Sequence, residues 1–487
     1  MTNRSSADPT LAGPRTDERT RVRLNPAPHG LLRWGPVAGL GVLMLLLARH
    51  AADGISDPDA LWHIMAGDHL RATWQFVGLD PFSPFTIKPW ALTQWLPDLA
   101  MSLANQWAGL PGVALLAQVG RLGVCLGIYV SCRRCSGPLA AALVTGIAVL
   151  GTAASLSPRP QLVGFALLTI TTTAWLGTAQ DLRPRWWLIP MSWVWASSHG
   201  SWVVGLMVGV AATSGLKLDR RLDNGQAVRL ACLVVLSGAA ALVTPLGPRI
   251  LETFGTVRAV SPYIQEWRRP DLTDPSTIAL AVLAVVVILA WARWPDLRSW
   301  THAAVLVVGL GWGCAYSRTV AIGAIILAPL AARAIERALR RELPEAGRER
   351  LFVATLVAAA SLACAGFAAT GPSQPVGVPD RLSEQLRALP DGTVVFNDDG
   401  LGGWLMWSFP NIQQTGDTRA ELYGAAGARR YLTAVGAQHG WQAAFDEYDP
   451  AVALLPEDAP LVSALQSDRG WAIVGRDRGF ALLTPHG

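Results

Sequence analysis

The chain has 487 residues, of which 51% are hydrophobic and only 15% charged, with a formal net charge of +5 and a mean hydropathy of +0.32. Ordinary soluble domains carry roughly 25% charged residues. A soluble multidomain protein is therefore excluded, as are extended disorder, a coiled coil and a disulfide scaffold. What remains is a polytopic α-helical membrane protein.

Residues up to 32 are rich in Arg, Pro and Thr and lack apolar periodicity. They read as a disordered cytoplasmic tail, too long and too polar to be a simple signal peptide. Apolar runs then fall at 33–49, 112–131, 138–156, 160–179, 186–198, 200–217, 229–246, 276–293, 300–316, 319–337 and 351–370. A spanning helix needs about 20 mostly apolar residues, so about eleven transmembrane helices are expected over residues 33–370. The run 94–109 contains Pro97 and Asp98 and is read as lying at the interface. With the N-terminus in the cytoplasm, eleven spans place Arg133/Arg134, Arg183/Arg185, Lys217/Arg220/Arg221, Arg293/Arg298 and the block 333–350 inside. The positive-inside rule asks for this pattern. Basic residues thus report topology in a plasma-membrane protein, and no nucleic-acid partner is expected.

The outer face then carries loop 50–111, loop 247–275 and everything from 371. Residues 371–487 read as a small extracytoplasmic α/β domain. Its strands are TVVFN, VALL, WAIVG and FALLT, and its helices 380–389, 427–438 and 459–468. No repeat appears, nor the inverted pair of broken helices that marks many secondary transporters. Cys132 and Cys135 form C-R-R-C without a second pair, so no metal or redox role is expected there.

The first loop opens Ser56-Asp57-Pro58-Asp59-Ala60-Leu61-Trp62-His63. Pro58 suits the first helical position and Asp57 an N-cap. Asp59 and His63 lie four apart on one face, while Trp62 and Met65 are placed to dip into the interface. The plain reading is a capped amphipathic helix whose acidic residues favour its positive end. The functional reading makes Asp57 and Asp59 a carboxylate pair at a membrane cavity, serving as general base or divalent-metal ligands. Arg159, Glu266, Arg268, Arg269 and Arg318 cluster at outer span ends, with His199 in Ser-Ser-His-Gly. Outer arginines run against the topological bias. They either snorkel to head groups or bind an anion such as phosphate. His199 is read as a hydrogen-bonding group or a ligand contact. In the C-terminal region, Asp398 follows a strand, and Asp417 and Arg419 form either a sugar or peptide site or a buried locking pair.

Taken in order, SDPDALWHIMAGD, LDPFSPFT, WALTQWLPDLA, SPRPQL, WASSHGSW, LVTPLGPRIL, QEWRRPD, SRTVAIGAIILAP, VFNDDGLGGWLMW and GDTRAELYG resemble the GT-C superfamily of integral-membrane glycosyltransferases. The likeness is to a bacterial branch with an Asp-Pro-Asp-x-x-Trp-His first loop and spans most of the chain from about residue 55. It implies inverting transfer of a sugar from a polyprenyl-phosphate donor, at the extracytoplasmic face, to a cell-envelope glycan, lipid or protein. It also implies that Asp57 and Asp59, with His63, take the catalytic role, and that Arg159, Arg268 or Arg269, and Arg318 hold the lipid phosphate. The branch departs here at Thr93-Gln94, Ser197, Asp399 and Leu401. Loss of a second base at Thr93-Gln94 also leaves open a non-catalytic lipid-binding assembly factor. A flippase of lipid-linked sugar is the third reading.

Overall fold

The computed structural model describes residues 29–339 and 347–486. The tail expected before residue 29, and residues 340–346 of the basic block, lie outside the described residues. Helices occupy all eleven apolar runs, and eight of them are long and apolar enough to cross a membrane. These eight are α1 (His29–Arg49), α3 (Trp95–Arg133), α4 (Pro138–Thr152), α5 (Gln161–Asp181), α8 (Asn224–Ala241), α10 (Pro275–Arg293), α12 (Val320–Leu339) and α13 (Gly347–Ala369). The remaining three are α6 (Leu188–Ala196), α7 (Trp202–Leu218) and α11 (Trp300–Gly313). At 1.5 Å per residue they fall short of a bilayer core of about 30 Å. Polar turns such as Ser197–Ser201 and Tyr316–Thr319 cut them short, so eight long spans stand where about eleven were expected. Helix α12 is central, with every residue from Val320 to Ala332 buried. Elsewhere, large side chains such as Leu46, Val235, Val307 and Leu362 stay exposed on the bundle surface, as a hydrocarbon solvent requires.

Helix α3 is bent rather than straight. Ala108 and Gly109 leave helical geometry, Gly109 at φ 64°, and Pro111 follows. Only glycine adopts that backbone without a Cβ penalty. The arm before the bend packs under α2 (Pro58–Thr73), and the arm after it enters the bundle. A two-stranded ladder, β1 (Val77–Gly78) with β2 (Trp90–Ala91), closes the rest of the first loop. Between α8 and α10 lies α9 (Glu252–Val260), an amphipathic segment at the same end of the bundle.

A mixed β-sheet domain stands near the C-terminus. Its strands are β3 (Val394–Asn397), β4 (Gln413–Gln414), β5 (Val452–Pro456), β6 (Ala472–Asp477) and β7 (Phe480–Thr484), in the order β4-β3-β5-β7-β6. The β3 pairings are parallel and those of β7 antiparallel. Helices α14 (Ser383–Arg387), α15 (Gly402–Ser408), α16 (Ala420–Val435), α17 (Trp441–Asp446) and α18 (Pro460–Arg469) cover the sheet. Expected helices at 380–389 and 427–438 thus become shorter and longer respectively. Gly424, at φ 65°, bends α16 early, and its hydrophobic face extends upstream of the bend. The domain sits directly on α2, because α15 opens with Gly402 and Gly403. A Cβ at Gly403 would collide with the Pro58 carbonyl oxygen.

Candidate functional site

The site begins at the cap of α2. Asp57 is extended and its Oδ1 accepts the Asp59 amide at 3.0 Å, with Pro58 at the first helical position. That leaves Asp57 Oδ2 free to accept from Arg159 Nε at 2.7 Å. Arg159 Nη1 also lies 2.9 Å from Asp59 Oδ2 and 3.1 Å from Glu266 Oε1. Glu266 Oε2 in turn accepts from Arg318 Nη1 at 3.0 Å. Across the other edge, the Thr418 hydroxyl donates to Asp59 Oδ1, and Trp62 Nε1 donates to Thr418 at 3.2 Å. Five segments far apart in sequence therefore meet in one charged chain. Burial alone would lower the Arg159 guanidinium's pKa, but Asp59 and Asp57 outweigh it and hold it above the usual arginine range.

A second group lies one helical turn along. His63 Nδ1 and Asp98 Oδ1 are 2.6 Å apart, and both side chains are buried. His199 Nδ1 accepts the Ser201 amide at 3.2 Å, which assigns the ring proton to Nε2. Burial first, then the charges of Arg318 and His63, pull His199 down to about 3, so the imidazole is neutral at physiological pH. Arg268 and Arg269 are exposed, and among the described residues their side chains make no ion pair or hydrogen bond. The Arg268 carbonyl accepts the Ser317 amide at 2.9 Å, which holds this pair beside Arg318.

The remaining expected residues sit elsewhere. Arg419 is 2% exposed. It donates to Asp80 at 2.9 and 3.0 Å and to Asp417 at 2.7 and 3.0 Å. Tyr423 adds a hydroxyl to Asp417 at 2.7 Å, and the Arg419 guanidinium lies over Phe82 and Trp62. Burial would raise the Asp417 pKa, but Arg419 holds it below the usual carboxylate value. Asp417 and Arg419 thus tie the domain to the first loop, and Trp62 packs beneath them instead of reaching a membrane interface. Asp398 caps the short turn into α15 by accepting the Gly400 amide at 3.0 Å. Its neighbour Asp399 keeps contact with solvent, and partial desolvation and the Asp398 charge push it up to about 6.

Several members of the site escape a sequence reading. Thr418 is an ordinary hydroxyl until the fold places it on Asp59. Asp98 and Asp80 lay in motifs already noticed, WALTQWLPDLA and LDPFSPFT, and an acidic residue inside an apolar run was the available signal for Asp98. Glu421, raised by burial, sits in the first turn of α16 within reach of the Asp59 charge. Asp57 and Asp59 are the pair expected to hold any divalent metal. The Arg159 guanidinium bridges their carboxylates, and no group of three metal-binding side chains occurs among the described residues.

No protein-family model matches the sequence, and no curated protein matches it. Solved structures do match the fold. The archaeal oligosaccharyltransferase AglB from Archaeoglobus fulgidus, in complex with an inhibitory peptide and a dolichol-phosphate, aligns with a TM-score of 0.60 at 10% identity, covering 88% of this chain and 70% of that one. An Archaeoglobus fulgidus oligosaccharyltransferase in the apo form gives 0.54 at 9% identity with the same coverage. ArnT from Cupriavidus metallidurans, bound to undecaprenyl phosphate, gives 0.50 at 14% identity, covering 92% of this chain and 98% of that one. Identities this low establish architecture only. The chain is a multi-pass helical membrane protein that shares its fold with these membrane-protein structures.

Proposed function

We propose that this protein transfers a sugar from a polyprenyl-phosphate donor to an acceptor hydroxyl on the extracytoplasmic face. The observation that carries the reading is the Asp57–Arg159–Asp59 bridge, extended through Glu266 to Arg318, in a fold shared with proteins crystallised on dolichol-phosphate and undecaprenyl phosphate. Such a donor carries its own leaving group, so a nucleotide site is unnecessary.

In this reading the donor phosphate binds Arg268, Arg269 and Arg318. Glu266 is 44% exposed on its side chain and holds Arg318 only until a phosphate replaces it. The preorganised guanidinium groups then stabilise charge as it develops on the departing phosphate. Asp57 or Asp59 accepts the acceptor's proton, a contribution of typically 10²–10⁴-fold. Arg159 positions the two carboxylates, and attack from the face opposite the phosphate inverts the anomeric carbon. His199, neutral and donating from Nε2, is a contact for a sugar hydroxyl, and the His63–Asp98 pair braces the helix that presents Asp59.

Native mass spectrometry of the detergent-purified protein tests the reading. A co-purifying polyprenyl-phosphate sugar is expected, and it should accumulate in Asp57→Asn and Asp59→Asn. Wild-type turnover in both variants would overturn the base assignment. Failure to bind any polyprenyl phosphate would overturn the donor assignment.

A further inference from the structure

A cavity of about 340 Å³ lies at the domain-bearing end of α1, α3 and α4. Its rim includes Ser56 and Pro158, the residues just ahead of Asp57 and Arg159. The Asp57–Arg159 bridge therefore stands beside it, and Glu266, Arg318, Arg268 and Arg269 belong to the opposite arm of the charged chain. The walls mix polar and apolar groups, with Leu47, Ala117 and Leu156 among the apolar ones. His50 and Asp53, joined at 2.6 Å and more than half exposed, stand where the cavity meets solvent.

Arg121 is the cation of the interior, and the Asp53 and Asp57 carboxylates lie within reach of its charge. Arg121 is carried by the apolar arm of α3 that enters the bundle, where an ionisable side chain is costly and usually functional. Nε donates to the Leu156 carbonyl at 2.6 Å and Nη1 to Gln118 at 2.8 Å. Among the described residues Nη2 donates to nothing. Two anchored nitrogens and one free one make a rigid cation with donor capacity left over.

We propose that this cavity seats the acceptor, an outer-leaflet amphiphile whose anionic headgroup pairs with Arg121 and whose hydroxyl reaches Asp57. The acceptor role rests on the transferase reading above; the binding itself does not. A phosphate-bearing headgroup suits the free nitrogen, and the apolar wall residues suit the first carbons of its tail. With three arginines on the opposite arm for the donor phosphate, the two substrates approach the carboxylate pair from different sides. The acceptor oxygen then bonds to the anomeric carbon, and the bond from that carbon to the phosphate oxygen breaks. Its electron pair leaves on the lipid phosphate, and the hydroxyl proton passes to the Asp57 carboxylate.

Full-length protein titrated separately with phosphatidylglycerol, phosphatidylcholine and undecaprenyl phosphate, read by native mass spectrometry, decides this. Expected is one tightly held phosphatidylglycerol, preferred over phosphatidylcholine and not displaced by millimolar inorganic phosphate. Arg121→Gln, which keeps the bond to Leu156, and Ala117→Trp, which fills the cavity, should each weaken it about tenfold or more while undecaprenyl phosphate binding is unchanged. If either variant misfolds, the other decides. Unchanged phosphatidylglycerol binding in the folded variants, or displacement by inorganic phosphate, overturns the site. Loss of undecaprenyl phosphate instead would make the cavity the donor's seat and overturn the acceptor role. A wild-type protein that binds no undecaprenyl phosphate would strike the transferase reading, with the cavity still judged by the phosphatidylglycerol result.

Discussion

Arg159 is the residue on which the site depends most. It neutralises two carboxylates on α2 and shares a third with Arg318. Arg159→Ala leaves half-buried carboxylates unpaired, and removing one partner of such a pair costs about 3–5 kcal/mol. Thermal unfolding in detergent should show that loss, whereas Asp57→Asn, which can still cap α2 through its amide oxygen, should lose turnover with a smaller stability change. Asp399 gives a pH signature. Its folded pKa, about 6, lies above the ordinary carboxylate value of about 4. The folded state therefore holds the proton more tightly, and stability falls as pH rises from about 4 through about 6. Asp399→Asn should flatten the melting temperature across that window and raise it slightly near neutrality; an unchanged profile would mean that solvent screens Asp399 from Asp398. These pairings were hidden in the sequence. Residue types announced charges at span ends, but Thr418 and Asp59 are 359 positions apart, and no periodicity says that they touch.

Helix α2 is the element that joins the bundle to the sheet domain. Its first turn lies against α15, its side chains reach Thr418 and Asp98, and its N-terminus holds the carboxylate pair. Gly403→Ala inserts a methyl group against the Pro58 carbonyl, and overpacking of this kind costs about 1–3 kcal/mol. The expected outcome is a weaker domain contact, seen as faster proteolysis between residues 371 and 400, together with lower transfer. Arg419→Met should go further, since it strips Asp80 and Asp417 of a shared buried cation. The cap and the start of α2 were legible because Asp-Pro-Asp is a local signal. The bend in α3 was only half legible. Pro111 and Gly109 mark a break, but where each arm packs depends on α2.

At the scale of the whole molecule, apolar runs located the helices because lipid forces every backbone group to be satisfied within its own segment. Run length did not tell which helices cross alone, because Trp- and Gly-rich stretches such as α6 are apolar at any length. Single cysteines placed at Asp53 and at Gly377 should both label from outside with an impermeant reagent, and protection of both in intact cells would reverse the orientation. The two positions share one end of the bundle, since Val376 N–H donates to the Ile55 carbonyl.

The sheet order has a consequence in time. Strand β7 lies between β5 and β6, so the domain that supplies Thr418 cannot close until Phe480–Thr484 has been made. Asp57 emerges from the ribosome about 430 residues earlier, which at roughly 5–20 residues per second is about 20 to 90 seconds. Throughout that interval the first loop waits outside its final contacts, its carboxylates awaiting partners still being synthesised. A ribosome stalled in the last strands would leave an inserted bundle with an open, incomplete centre. The docking of the sheet domain onto α2 is therefore the late step that completes the centre.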